Sequence, residues 1–223
     1  MFKLKVRFVH AVMTATARKG LTHEYGTGFY RDFAGKSKQK LNALLEEVPD
    51  IGESIFSFNY LFGPCYFSWY STLLSLNLDK SSALQLIWQI NEDFVRAIPN
   101  PLLRWFGKNM YLGGFRRKAI IAEERGKVGS LHPMDWRIEY RSIDGNTFTI
   151  DIYECAMLKL ADKLGYREMF PHVCRMDYLF SHYFGQSFKR SSTLADGNIC
   201  CDCWYQAPGS SEWAPEKGFI NRK

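Results

Sequence analysis

The hydrophobic pattern changes period at about Asp135, and that change constrains the fold more than any other feature. Before it, apolar residues recur at the three-to-four spacing of helices. Leu41, Leu44 and Leu45 share a face, and Pro49 stops the run, so residues 36–47 are predicted as a helix. Residues 22–28 read as a loop around Gly26 and Gly28. Gly63-Pro64 interrupts an aromatic run, which places the next helix at about 66–77. Leu84, Ile87, Trp88, Val95 and Ile98 mark another, capped by Ser81 or Ser82 and ended by Pro99 and Pro101. Residues 102–126 read as one more. After Asp135 the pattern alternates: Trp136, Ile138 and Tyr140, then Phe148, Ile150 and Ile152, about the turn Asp144-Gly145-Asn146. Helical spacing returns from Tyr153 to Leu164, with Gly165 as C-cap, and from Pro171 to about Phe184, with Gly185 after it. Two further strands, 188–194 and 199–205, flank Asp196-Gly197-Asn198.

This is an α+β pattern, not a βαβ one. Helices come first (about 36–126), followed by a β-hairpin, two helices and a second β-hairpin that form a small antiparallel sheet (about 135–206). Neither half carries the material for a complete core of its own, so residues 1–223 are expected to form a single domain with a loosely ordered tail from 207.

The formal charge of +6 comes from scattered Lys and Arg, with short groups only at 36–40 and 116–118. A nucleic-acid surface would cluster them on one element, so no nucleic-acid partner is expected. No run approaches the roughly 20 apolar residues of a membrane span, and no membrane partner is expected. Residues 1–17 imitate a signal peptide, with a basic start and Ala15-Thr16-Ala17. Their apolar part, 8–13, is short and broken by His10. The expected location is cytoplasmic, where the six cysteines would be reduced and available for chemistry.

Cys174 and Asp177 stand three apart on the helix from Pro171, and so share a face. On the last strand, alternation sends Cys201 and Cys203 to one side with Tyr205, and Cys200, Asp202 and Trp204 to the other. The first side is the more apolar and should meet the helices, which brings Cys201 toward Cys174. Cys200 and Cys203 have the Cys-x2-Cys spacing, but a strand points them apart and no second pair completes a closed site; a looser set of His172, Cys174, Asp177 and Cys201 is the alternative, and no cofactor is favoured.

At these residues the chain resembles the L-2-amino-thiazoline-4-carboxylic acid hydrolase family. Pro171 to Tyr178 is similar to the family's Pro-x-x-Cys-x-x-Asp segment. Arg190 to Gly197 is similar to its Arg-Thr-x-Thr-Leu-Ala-x-Gly, and Cys201-Asp202 to its Cys-Asp-Phe ending. Cys155 and Gly165 match further positions. Ser191 departs from the usual Thr, and Cys203 from the usual aromatic. The resemblance implies a hydrolase of carbon–nitrogen bonds that opens a small cyclic amidine by adding water at the amidine carbon, giving a carbamoyl-cysteine. It further implies catalytic roles for Cys174, Asp177 and Cys201, with Arg190, Thr193 and Asp202 binding a carboxylate-bearing small substrate. Cys174 or Cys201 would attack directly, or Asp177 would act as base on water. Alternation leaves Arg190 a second option, a pair with Asp202 across the sheet. A non-catalytic sensor module that binds a small ligand or metal is the alternative reading.

Overall fold

The computed structural model describes residues 1–211. The chain divides into two compact units, one of residues 1–50 and 57–98, the other of residues 51–56 and 99 onward. The first is helical: α1 (Phe2–Thr16), α2 (Arg18–Leu44), the single turn α3 (Ser57–Tyr60), α4 (Phe62–Ser75) and α5 (Lys80–Arg96). The loop predicted at 22–28 is shortened to a break at Gly26, where a non-helical φ of 88° and ψ of 164°, open to glycine at little cost, separates two helical stretches of α2. Gly63 and Pro64 lie in the first turn of α4, where proline forfeits no hydrogen bond, so the helix starts earlier than the sequence suggests. The cap of α5 is Asp79, whose side chain accepts from Ser82 N, rather than either serine.

The second unit holds the sheet. Helix α6 (Asn100–Phe106) passes through a π-turn (Gly107–Tyr111) into α7 (Leu112–Lys127). Strands β1 (Arg137–Ser142) and β2 (Thr147–Glu154) form the expected hairpin. Helix α8 (Ala156–Leu164) ends at left-handed Gly165. The helix predicted from Pro171 is broken into α9 (Phe170–Val173) and α10 (Met176–Phe184). Strand β3 (Ser187–Lys189) is short, a loop with a 3-10 turn at Leu194–Asp196 follows, and β4 (Cys201–Gln206) closes the sheet. All pairings are antiparallel, in the order β1-β2-β4-β3, so the two hairpins merge into one α+β sheet.

One face of that sheet is the core. Phe148, Ile150, Ile152, Cys201, Cys203, Tyr205 and Phe188 are all buried on it. Phe148 and Tyr205 stack at 5.1 Å, and Phe115 of α7 meets Tyr205 edge-on at 5.4 Å. Residues 207–211 are hydrogen-bonded rather than loose: Gly209 N donates to Gly185 O and Ser211 Oγ to Gln186 O. The rest of the predicted tail, 212–223, lies outside the described residues.

The π-turn begins where two backbones nearly touch. A Cβ added at Gly107 would stand 2.6 Å from Phe184 O, and Gln186 Nε2 donates to Gly107 O at 3.1 Å. Overpacking of this kind costs about 1–3 kcal/mol. Gly107→Ala is therefore expected to lower the unfolding free energy by that amount, read as a lower urea midpoint with the m-value unchanged.

Candidate functional site

The site is built around one buried guanidinium. Strand register decides which way it points. Phe188 pairs with Tyr205 and Lys189 with Trp204, so Phe188 is on the inner side and Lys189 on the outer. Arg190 is the next residue and turns inward, to the side of Cys203. Its side chain is 3% exposed. Nη1 donates to Asp177 Oδ2 at 2.8 Å and Nη2 to the carbonyl of Cys174 at 2.6 Å. The ring of Phe188 lies 5.2 Å from the guanidinium carbon and that of Tyr178 6.0 Å. The Tyr178 hydroxyl returns a bond to Arg190 O at 3.2 Å.

The break between α9 and α10 belongs to this arrangement. In an unbroken helix the Cys174 carbonyl would serve the helical ladder. Here its short bond comes from Arg190, while Asp177 N is 3.5 Å away. Asp177 follows in the first turn of α10, where a carboxylate is also favoured by the helix dipole.

Three of the sequence-derived candidates thus sit together. Cys174, Asp177 and Cys201 all lie within electrostatic reach of Arg190 and of one another, with Cys155 and Cys203 beside them. Burial pushes the Asp177 carboxyl above its ordinary value, and the Arg190 charge and hydrogen bond only partly offset that. Burial likewise drives the Cys174 thiol well up, against the pull of Arg190. Cys201 rises to about 11 for the same first reason, although its sulfur accepts from Leu194 N at 3.2 Å. Both sulfurs are therefore thiols at neutral pH. A preformed thiolate does not exist here, because one guanidinium already shared with Asp177 does not repay the desolvation of a second anion.

The remaining candidates have other work. The alternative pair of Arg190 with Asp202 does not form. Asp202 faces the outer side and binds the loop: it accepts from Ser191 N at 2.9 Å, from Ser192 N at 2.6 Å and from both serine hydroxyls. Burial opposes its charge, but these four donors hold its carboxyl below the usual range. Thr193 is fully buried, and its hydroxyl caps the 3-10 turn by bonding Asp196 N and Asp196 Oδ2. Both side chains shape the loop that delivers Arg190 and Cys201. Among the described residues, no three His, Cys, Asp or Glu side chains are grouped to hold a metal ion.

Sequence reasoning missed Arg175 and Tyr178. Arg175 is buried and reaches Asp196 at 3.5 Å, tying α10 to the same loop. Tyr178 forms one wall of the Arg190 slot. Both flank Asp177 within two residues, which is the signal that could have drawn them in.

Asp202→Ala removes a charged acceptor from two backbone amides, a loss of about 1.5–3 kcal/mol for each strong bond, moderated by the site's exposure. A drop of about 2 kcal/mol in urea unfolding is expected, together with faster amide exchange at 191 and 192. Unchanged exchange there would show that the loop is held by something else.

No curated protein matches the chain. Residues 103–205, the segment that carries Cys155, Cys174, Asp177, Arg190 and Cys201, match the family model described as L-2-amino-thiazoline-4-carboxylic acid hydrolase, the family that the sequence motifs resemble.

Proposed function

We propose that the chain is a hydrolase that opens a small cyclic amidine, of the 2-amino-thiazoline-carboxylate kind, by adding water at the amidine carbon. The observation that carries this reading is the buried Arg190 guanidinium paired with half-buried Asp177, with the Cys174 and Cys201 thiols gathered around the pair. Asp177 uses Oδ2 for Arg190 and is itself 35% exposed, which leaves Oδ1 for a ligand. A carboxylate with an elevated pKa is a better base than an ordinary one, and its charge complements a cyclic amidinium.

In the proposed reaction Asp177 takes a proton from water as the oxygen bonds to the amidine carbon. The ring carbon–nitrogen bond then breaks as the added hydroxyl becomes the carbonyl. Cys174, held as a thiol, protonates the departing nitrogen, the proton on Asp177 returns to the sulfur, and the hydroxyl proton passes to the freed amine. No atom changes oxidation state, so the side chains present meet the needs of the reaction. Cys201 supports the loop at Leu194 beside this centre. Arg190 contributes the positive field a carboxylate-bearing substrate requires, and its buried Nε has no protein partner among the described residues.

The test is incubation with 2-amino-thiazoline-4-carboxylate. Turnover to carbamoyl-cysteine is expected for the wild type. Asp177→Asn should lose about 10²–10⁴-fold in kcat, the usual worth of a positioned base. Cys174→Ser keeps a weaker donor and should lose about 10–100-fold by the same reasoning. An inert wild type removes this substrate, and an undiminished Asp177→Asn removes the mechanism.

A further inference from the structure

Helix α1 carries a face that the protein fold does not use. Its buried side is Val6, His10, Met13 and Thr14. The opposite side presents Met1, Leu4 and Phe8, which are 92%, 67% and 70% exposed, followed by Ala11 and Ala15, also exposed. Positions 4, 8, 11 and 15 recur at helical spacing and form one continuous apolar stripe. Exposed Lys5 borders the stripe on one side and exposed Arg7 on the other, since they stand about 100° apart from Leu4 and Phe8 around the helix. At its far end, a shallow depression of about 530 Å³ is lined by Ala15, Thr16, Arg18, Lys19, Thr22 and His23. Residues 1–23 hold five Lys or Arg and no Asp or Glu.

We infer that this face of α1 docks on an anionic lipid surface. The two halves of the argument are independent. The apolar stripe would bury Leu4 and Phe8 at the headgroup boundary, as amphipathic surface helices do. The bordering cations and the Arg18–Lys19 depression would meet lipid phosphates; residues 1–23 themselves hold no acid, while Glu46 pairs with Lys3 and Asn42 accepts from Arg7 Nε. Charge is what selects this occupant. A second copy of the same face would set cation against cation. The expectation that no membrane partner exists rested on the lack of a spanning segment, and no helix among the described residues is long and apolar enough to cross a membrane. A helix that lies on the surface needs no span.

The experiment is co-sedimentation of the full chain with vesicles of phosphatidylglycerol mixed into phosphatidylcholine, against vesicles of phosphatidylcholine alone. Binding to the anionic vesicles is expected, weakening with added salt, with little binding to the neutral ones. Lys5→Gln should reduce the partition coefficient roughly fivefold. Leu4→Asp with Phe8→Asp should reduce it more than tenfold without changing the melting temperature, because both positions are exposed. Equal binding by wild type and the double variant would overturn the inference, as would absence of binding to anionic vesicles. A dimer in light scattering that the double variant dissolves, or capture of an acidic helical peptide in preference to vesicles, would assign the face to protein and overturn it equally.

Discussion

The site depends on keeping one guanidinium charged in the interior. Arg190 is 3% exposed, and an isolated charge there would be prohibitively costly. What holds it is partners for its two terminal nitrogens and its faces: the Asp177 carboxylate, the Cys174 carbonyl and two aromatic rings. Removing one partner from such a pair typically costs about 3–5 kcal/mol, because the other charge is left behind. That cost fixes the geometry around it. Helix α10 must begin where Asp177 reaches inward, the chain must break after α9 so that the Cys174 carbonyl is free, and β3 must end so that Arg190 can turn under the sheet. The loop from 190 to 200 is in turn pinned by Asp202 on the outer side and by the Thr193 cap and Arg175–Asp196 pair within.

The same burial determines the character of the thiols. A cysteine beside an arginine is often activated as a thiolate. Here desolvation is the larger effect at both Cys174 and Cys201, and the Arg190 charge offsets it only in part. The cluster therefore offers proton donors next to a carboxylate of raised pKa, a combination suited to moving protons around an uncharged water nucleophile rather than to covalent attack by sulfur. Six free cysteines persist in the chain without a disulfide, and three of them are buried.

Much of this was legible in the sequence. The Asp144-Gly145-Asn146 turn, the alternation around it and the glycine C-caps at 165 and 185 are local signals, and each appears where the pattern places it. The convergence of Cys174 with Cys201 followed from strand alternation plus the more apolar face. Three features were not legible, because long-range contacts decide them. At the break after Cys174, a residue sixteen positions away donates to its carbonyl. The side to which Arg190 points depends on the Phe188–Tyr205 register, which alternation within one strand cannot supply, and so a pair with Asp202 looked open. The hydroxyl of Thr193 looked available until the chain left the strand at Lys189 and used it as a cap. Local propensity sets the elements, while the buried charge and the register set the site.

The most direct test of this account is a carbon-13 NMR titration of the Asp177 carboxyl in the wild type and in Arg190→Gln, with the folded state of each verified by its amide spectrum. Burial should place the wild-type midpoint above the ordinary aspartate value of about 3.9, and loss of Arg190 should move it higher still. A wild-type midpoint at or below the ordinary value, or one that Arg190→Gln leaves unmoved, would contradict the claim that a buried Arg190–Asp177 pair organises the site.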